Sequence, residues 1–150
     1  MLSSSRRIVV RLFVLLAAAL FLSSPSAVVA ETLPLAIKGY DPVAYFTLDK
    51  AMLGNPDIEY EWDEHRYRFV STEHRELFKA DPVRYAPQFT NYCAMALARG
   101  EVHEANPEYW LVSGGKLYLF GGPSGWERFQ QDPAGNIPKA SDNRELLRRR

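Results

Sequence analysis

One spacing constrains this chain more than any other feature. A pattern of aromatic residues and an Asp-Pro pair recurs 51 positions later, from Tyr67 to Tyr118, without a gap. Tyr67, Phe69, Phe78, Asp81 and Pro82 reappear as Tyr118, Phe120, Phe129, Asp132 and Pro133. Each copy opens with a strand-like stretch. EYEWDEHRYRFVS (59–71) alternates aromatic and polar residues around a polar turn, and YWLVSGGKLYLFGG (109–122) does the same around Gly114-Gly115. Period-two alternation across a turn predicts a hairpin with one buried face. Each hairpin then leads into a helix-compatible segment. Ser71 or Thr72 can cap TEHRELFKA, which puts His74, Leu77 and Phe78 on one face. PSGWERFQQ (123–131) is its counterpart. A lone hairpin is marginal in water, so each unit needs the other to cover its aromatic face. The expected fold class is therefore α+β, with two short antiparallel hairpin–helix units (ββα) packed into one small domain. The pseudo-repeat spans about 58–85 and 109–136, with hairpins near 58–71 and 109–120. Short helices are added by GYDPVAYF (39–46), where Asp41 is a helix cap and Pro42 the first helical position, and by NYCAMALA, ended by Gly100.

Residues 1–30 are set apart. Arg6, Arg7 and Arg11 precede the apolar run LFVLLAAALFL (12–22), and Val28-Val29-Ala30 supplies compact residues where signal peptidase reads. This is the pattern of a secretory signal peptide cleaved after Ala30. The run is shorter than the roughly 20 residues that span a bilayer. Ser5-Arg6-Arg7 also fits a twin-arginine address, so Sec and twin-arginine routes both stand open. The expected location is the periplasm, with no stable membrane anchor after cleavage. Residues 31–150 then form one domain and keep all 18 acidic residues but, after loss of three arginines, 15 basic ones, a formal net charge of −3. A negative domain argues against nucleic acid as a partner. A small molecule, a metal ion or a periplasmic protein remains compatible.

The first copy, with Tyr67, Phe69, Ser71, Phe78, Asp81, Pro82 and Tyr85, resembles the YHS domain. The stretches GYDPVAYF, YAPQF, YCA and GKLYL look like exported bacterial members of that family. The resemblance covers about 38–145. Metal binding is often suggested for such modules, in which two cysteines four apart supply thiolates. Those positions are Val70 and His74 here, and Gly121 and Gly125 in the second copy. The cysteine pair is absent from both, so metal binding is not carried over with it.

Cys93 is the only cysteine. On a helix its neighbours are Phe89, Ala96, Leu97 and Gly100, an apolar or small set that favours a buried packing residue. Met95 points away from it on a helix. Two other readings stay open: a soft-metal ligand for copper or zinc together with His74 and His103, and the nucleophile of a thiol-dependent enzyme. His65 falls in the first hairpin turn, DEHR, and reads as solvated. The chain has no H-E-x-x-H, C-x-x-C, G-x-S-x-G or phosphate-binding glycine loop. The leading expectation is a non-catalytic module that binds a small ligand or partner through aromatic residues, with Tyr40, Tyr92 and Trp110 as candidate pocket residues.

Overall fold

A computed structural model describes residues 32–149; the signal-peptide expectation for 1–30 lies outside them. A 3-10 turn over Ala36–Gly39 and a short helix α1 (Ala44–Thr47) precede the hairpin of β1 (Asn55–Trp62) and β2 (His65–Phe69). Helices α2 (Thr72–Ala80), α3 (Pro82–Tyr85) and α4 (Ala94–Ala98) follow. A second hairpin, β3 (Asn106–Ser113) and β4 (Lys116–Phe120), leads into α5 (Pro123–Gln131), α6 (Pro133–Asp142) and a terminal 3-10 segment, Asn143–Arg149. This is the α+β arrangement of two ββα units with added short helices.

The two units share their irregularities as well as their elements. β3, β4 and α5 start and stop 51 residues after β1, β2 and α2 (55 to 106, 65 to 116, 72 to 123). Each hairpin carries the same bulge. The register slips between Asn55 and Glu59 in the first and between Asn106 and Trp110 in the second. The strands therefore begin three residues before the alternation makes them visible, because the bulge breaks period two there. Both hairpins close through two residues of positive φ: Gly114 and Gly115 in the second, Asp63 and Glu64 in the first. Glycine adopts that conformation freely and Asp-Glu does not, so the first turn is the more strained. His65, expected in this turn, is the first residue of β2 and pairs with Trp62.

Helix starts follow the sequence closely. Ser71 accepts a hydrogen bond from His74 N–H at 3.2 Å, Asp81 from Arg84 N–H at 3.1 Å and Asp132 from Gly135 N–H at 2.9 Å. Two expectations need correction. Pro42 is not the first residue of α1, which begins at Ala44, because Asp41 folds back to accept from Val43 and Ala44 N–H at 2.8 and 3.3 Å. Leu77 does not share the buried face of α2; His74 and Phe78 do, while Leu77 is 36% exposed.

The core is two aromatic clusters with β4 between them. The first gathers Tyr45, Tyr67, Phe69 and Phe78 with Leu117 and Leu119. The second gathers Phe89, Cys93, Leu97 and Phe129 with Tyr118 and Phe120. Successive strand residues point to opposite faces, so KLYLF serves both. β2 has only one such face. Tyr67 and Phe69 point inward, while Arg66 and Arg68 reach back to Glu59 on β1 at 2.9 and 2.8 Å. Arg68's hydrogen bond, aided by Arg66, holds the Glu59 carboxyl below its ordinary range. Its stabilising share is therefore present above the unfolded carboxylate pKa, about 4.3, and is lost as pH falls through the lower folded value.

Phe78 and Phe129 are fully buried at matching positions. Replacing either with Ala is expected to cost about 3–5 kcal/mol in chemical denaturation. A loss below about 1 kcal/mol at both would show that neither ring holds its cluster together. Glu59→Gln is expected to flatten the decline of stability below about pH 4; an unchanged acid limb would remove the Arg66–Glu59–Arg68 cluster from that decline.

Candidate functional site

The internal repeat extends upstream of the hairpins, where one extra residue shifts the offset to 52. Asp41 N–H donates to Met52 O at 2.8 Å, and Cys93 N–H donates to His103 O at 2.9 Å. Gly54 N–H to Gly39 O and Ala105 N–H to Asn91 O, both 2.8 Å, are the next matching pair. Asp41 and Cys93 are thus equivalent positions. Both cap the turn that follows: Ala44 N–H donates to Asp41 Oδ1 at 3.3 Å, and Ala96 N–H donates to Cys93 Sγ at 3.4 Å.

In the first copy this position is filled and closed. Asp41 is fully buried. Its Oδ2 accepts from His74 Nδ1 at 2.7 Å and from Val70 N–H at 2.9 Å. His74 Nε2 lies 3.1 Å from Thr47 Oγ1, so both ring nitrogens are engaged. A buried carboxylate needs such partners, since an unpaired one is costly in a low-dielectric interior.

In the second copy the partners are missing. Gly125 stands where His74 stands, and Gly121 where Val70 stands. A methyl group built on Gly125 would lie 3.7 Å from both Cys93 Sγ and Met95 Cβ, ordinary contact distance. The space that the first copy fills with an imidazole is therefore open. It forms a cleft of about 380 Å³ against Cys93, Met95, Ala96, Gly121, Gly122 and Gly125. Arg99, His103, Glu104, Ser124 and Arg128 complete the lining. Arg99 and His103 both donate to Glu101 Oε2, at 2.6 and 3.1 Å, and the Arg99 contact is the main cause holding the Glu101 carboxyl below its ordinary range. α5 points its N-terminus into the cleft. Its cap, Gly122, has no side-chain acceptor, so the first-turn N–H groups of Ser124 and Gly125, two residues that line the cleft, have no side-chain cap.

The residues singled out from sequence divide between sites. Cys93 is 6% exposed and packs with Phe89, Ala96 and Leu97, as its neighbours predicted. It is the N-cap of α4, not a residue within the helix, and for that reason Met95 faces the same cleft instead of pointing away. His103 joins Cys93 at this cleft; His74 does not, being held by Asp41 in the other copy. His74 is thereby a structural residue, with no ring nitrogen left to ligate a metal ion. Among the described residues no group of three His, Cys, Asp or Glu side chains is placed to hold one. Trp110 lines a second cleft, and Tyr40 donates to Glu108 of that cleft at 2.5 Å. Tyr92 packs on the second aromatic cluster and lines neither cleft. The sequence reading did not single out Asp41 as the buried partner of His74, nor Arg128 as a residue of the cleft. The register of Gly121 and Gly125 with Val70 and His74 was the one signal in the sequence for this opening, since two glycines there leave the space unfilled.

No family model, curated protein or solved structure matches this chain.

Gly125→Ala is expected to stabilise the protein by about 0.5–1 kcal/mol, because the methyl group fits and glycine in a helix is costly. A loss of stability would mean the cavity is tighter than the backbone indicates. Cys93→Asp alone should destabilise, as an unpaired buried carboxylate. Adding Gly125→His should recover stability with a favourable coupling of about 1–3 kcal/mol in a double-mutant cycle. Additive effects would show that the two copies are not equivalent here.

Proposed function

We propose that this chain is an exported YHS-type module without catalytic activity, and that it binds a small ligand in the cleft beside Cys93. The observation that carries the reading is the exchange of a closed Asp–His pair for an open Cys–Gly pair at equivalent positions. The fold does not require the opening, since the first copy builds the same scaffold with the space filled. The cavity falls within the size range of small-molecule sites, with an apolar floor and a few convergent polar groups. Arg99, Arg128 and the first turn of α5 suit an anionic group, and Cys93 with Met95 suits an apolar or sulfur-containing body. No base is hydrogen-bonded to the Cys93 sulfur among the described residues, whose one such contact is Ala96 N–H. That favours binding over thiol catalysis, which needs a base or cation at the sulfur.

A second reading has its own observation. Cys93, Met95 and His103 all border this cleft, and a thiolate, a thioether and an imidazole together suit a copper ion better than zinc.

The test is native mass spectrometry and metal analysis of protein purified from its own compartment, compared with Gly125→His. Retention of a small organic species by the native chain, lost when the imidazole fills the cleft, is the expected result. Stoichiometric copper that disappears in Met95→Leu and Cys93→Ser, but stays in His74→Ala, would replace this reading with the second. An adduct that Gly125→His retains would place the ligand elsewhere.

A further inference from the structure

The second cleft runs along β3 and has different chemistry. Its volume is about 500 Å³. Trp110, Trp126, Leu111 and Val112 form its walls, and Asp49 and Glu108 are the charged groups that line it. No lysine, arginine or histidine is in that lining. The walls are fixed in place: Trp126 Nε1–H donates to Trp110 O at 2.8 Å, and the Trp110 ring packs edge-on against Tyr45 with centroids 5.2 Å apart. Glu108 is fixed as well. The Tyr40 hydroxyl donates to its Oε1 at 2.5 Å, and this bond is the main cause raising the phenol's pKa, so the tyrosine remains a donor.

The first copy shows that the scaffold does not require this surface. The positions matching Trp110, Val112, Trp126 and Gln130 are Glu59, Glu61, Arg75 and Lys79. There the surface is covered by ion pairs, Glu59 with Arg66 and Arg68, and Glu76 with Arg75 and Lys79. The second copy instead leaves two indoles partly exposed around a concave space and puts two carboxylates beside them.

We propose that this cleft binds a small organic cation, an ammonium group on a compact apolar body. Indole faces attract cations through their quadrupole, and the attraction strengthens where water is excluded. Asp49 and Glu108 supply the opposing charge without a competing basic side chain in the lining. An anion would meet two carboxylates, and a neutral apolar ligand would leave both without a counter-charge. The assignment is separate from the cleft beside Cys93 and stands without it.

Choline and its neutral isostere 3,3-dimethyl-1-butanol, titrated at constant ionic strength, test the charge directly. Tryptophan emission and calorimetry are the readouts. Saturable choline binding at least about tenfold tighter than the isostere is expected. Asp49→Asn with Glu108→Gln should remove most of that preference while leaving the melting temperature near that of the native protein, since both side chains are exposed. Trp126→Phe should weaken choline as well. Equal binding of the isostere would overturn the proposal, as would a preference that survives loss of both carboxylates. Saturation by a lysine-rich peptide but by neither choline nor benzyltrimethylammonium would also overturn it, assigning the cleft to a protein partner.

Discussion

Everything in this fold depends on β4 being buried on both faces. Tyr118 and Phe120 point into one aromatic cluster, Leu117 and Leu119 into the other, and the four are at most 5% exposed. A ββα unit of this size buries one face of its hairpin under its helix and leaves the other in water. The first unit tolerates that by covering its outer face with the Glu59–Arg66–Arg68 cluster. The second has leucines where the first has arginines, and it uses them to close the first unit's core. The asymmetry between copies is thus what turns two marginal hairpins into one domain. A charge at Leu117 or Leu119 would fall inside the first cluster, whereas the arginines of β2 are half-buried on its outer face, where Arg66 also donates to Leu33 O at 3.0 Å.

The same asymmetry distributes function. Both clefts are lined mainly by second-copy residues, and in each the first copy has the space or surface occupied by polar side chains paired with one another. The first copy therefore serves as an internal control. It shows what the scaffold needs for stability, and departures from it in the second copy need another explanation. Gly125 is the clearest departure, because alanine would fit and would favour the helix. Sites that bind ligands commonly keep such a local cost in stability.

How much of this the sequence disclosed depended on how the repeat is written in it. The aromatic and Asp-Pro positions are matched by identical residues at one offset, so the ββα units, the Ser71 cap of the first unit's helix and the buried rings are legible. The upstream half of the repeat was not. One extra residue between Asp41 and the first hairpin breaks the offset, and aspartate and cysteine share no obvious chemistry. Their equivalence appears only in backbone hydrogen bonds, Asp41 to Met52 and Cys93 to His103. The strand starts at Asn55 and Asn106 were hidden by the bulges. Met95 shares the cleft with Cys93, against helical spacing, because Cys93 is a cap residue and does not obey that spacing. The buried Asp41–His74 pair joins residues 33 apart and leaves no local signal.

The two substitutions that open the Cys93 cleft are physically linked. Position 41 or 93 must offer an acceptor to the N–H three residues on, because that group begins a short helix at a buried position. Aspartate is the stronger acceptor, but its buried charge requires an imidazole opposite. Removing that imidazole to make a cavity would leave aspartate as an unpaired carboxylate, costing several kcal/mol. Serine would cap without charge, yet it would put a hydroxyl at a position only 6% exposed in a cluster of apolar residues. Cysteine accepts weakly, packs as a small apolar group and needs no counter-charge. The thiol is therefore the cap that an open cleft permits at this place. That answers why a chain with a single cysteine keeps it here: the structural demand for a cap and the demand for an open cavity meet at Cys93, and no reactive role is required to account for it.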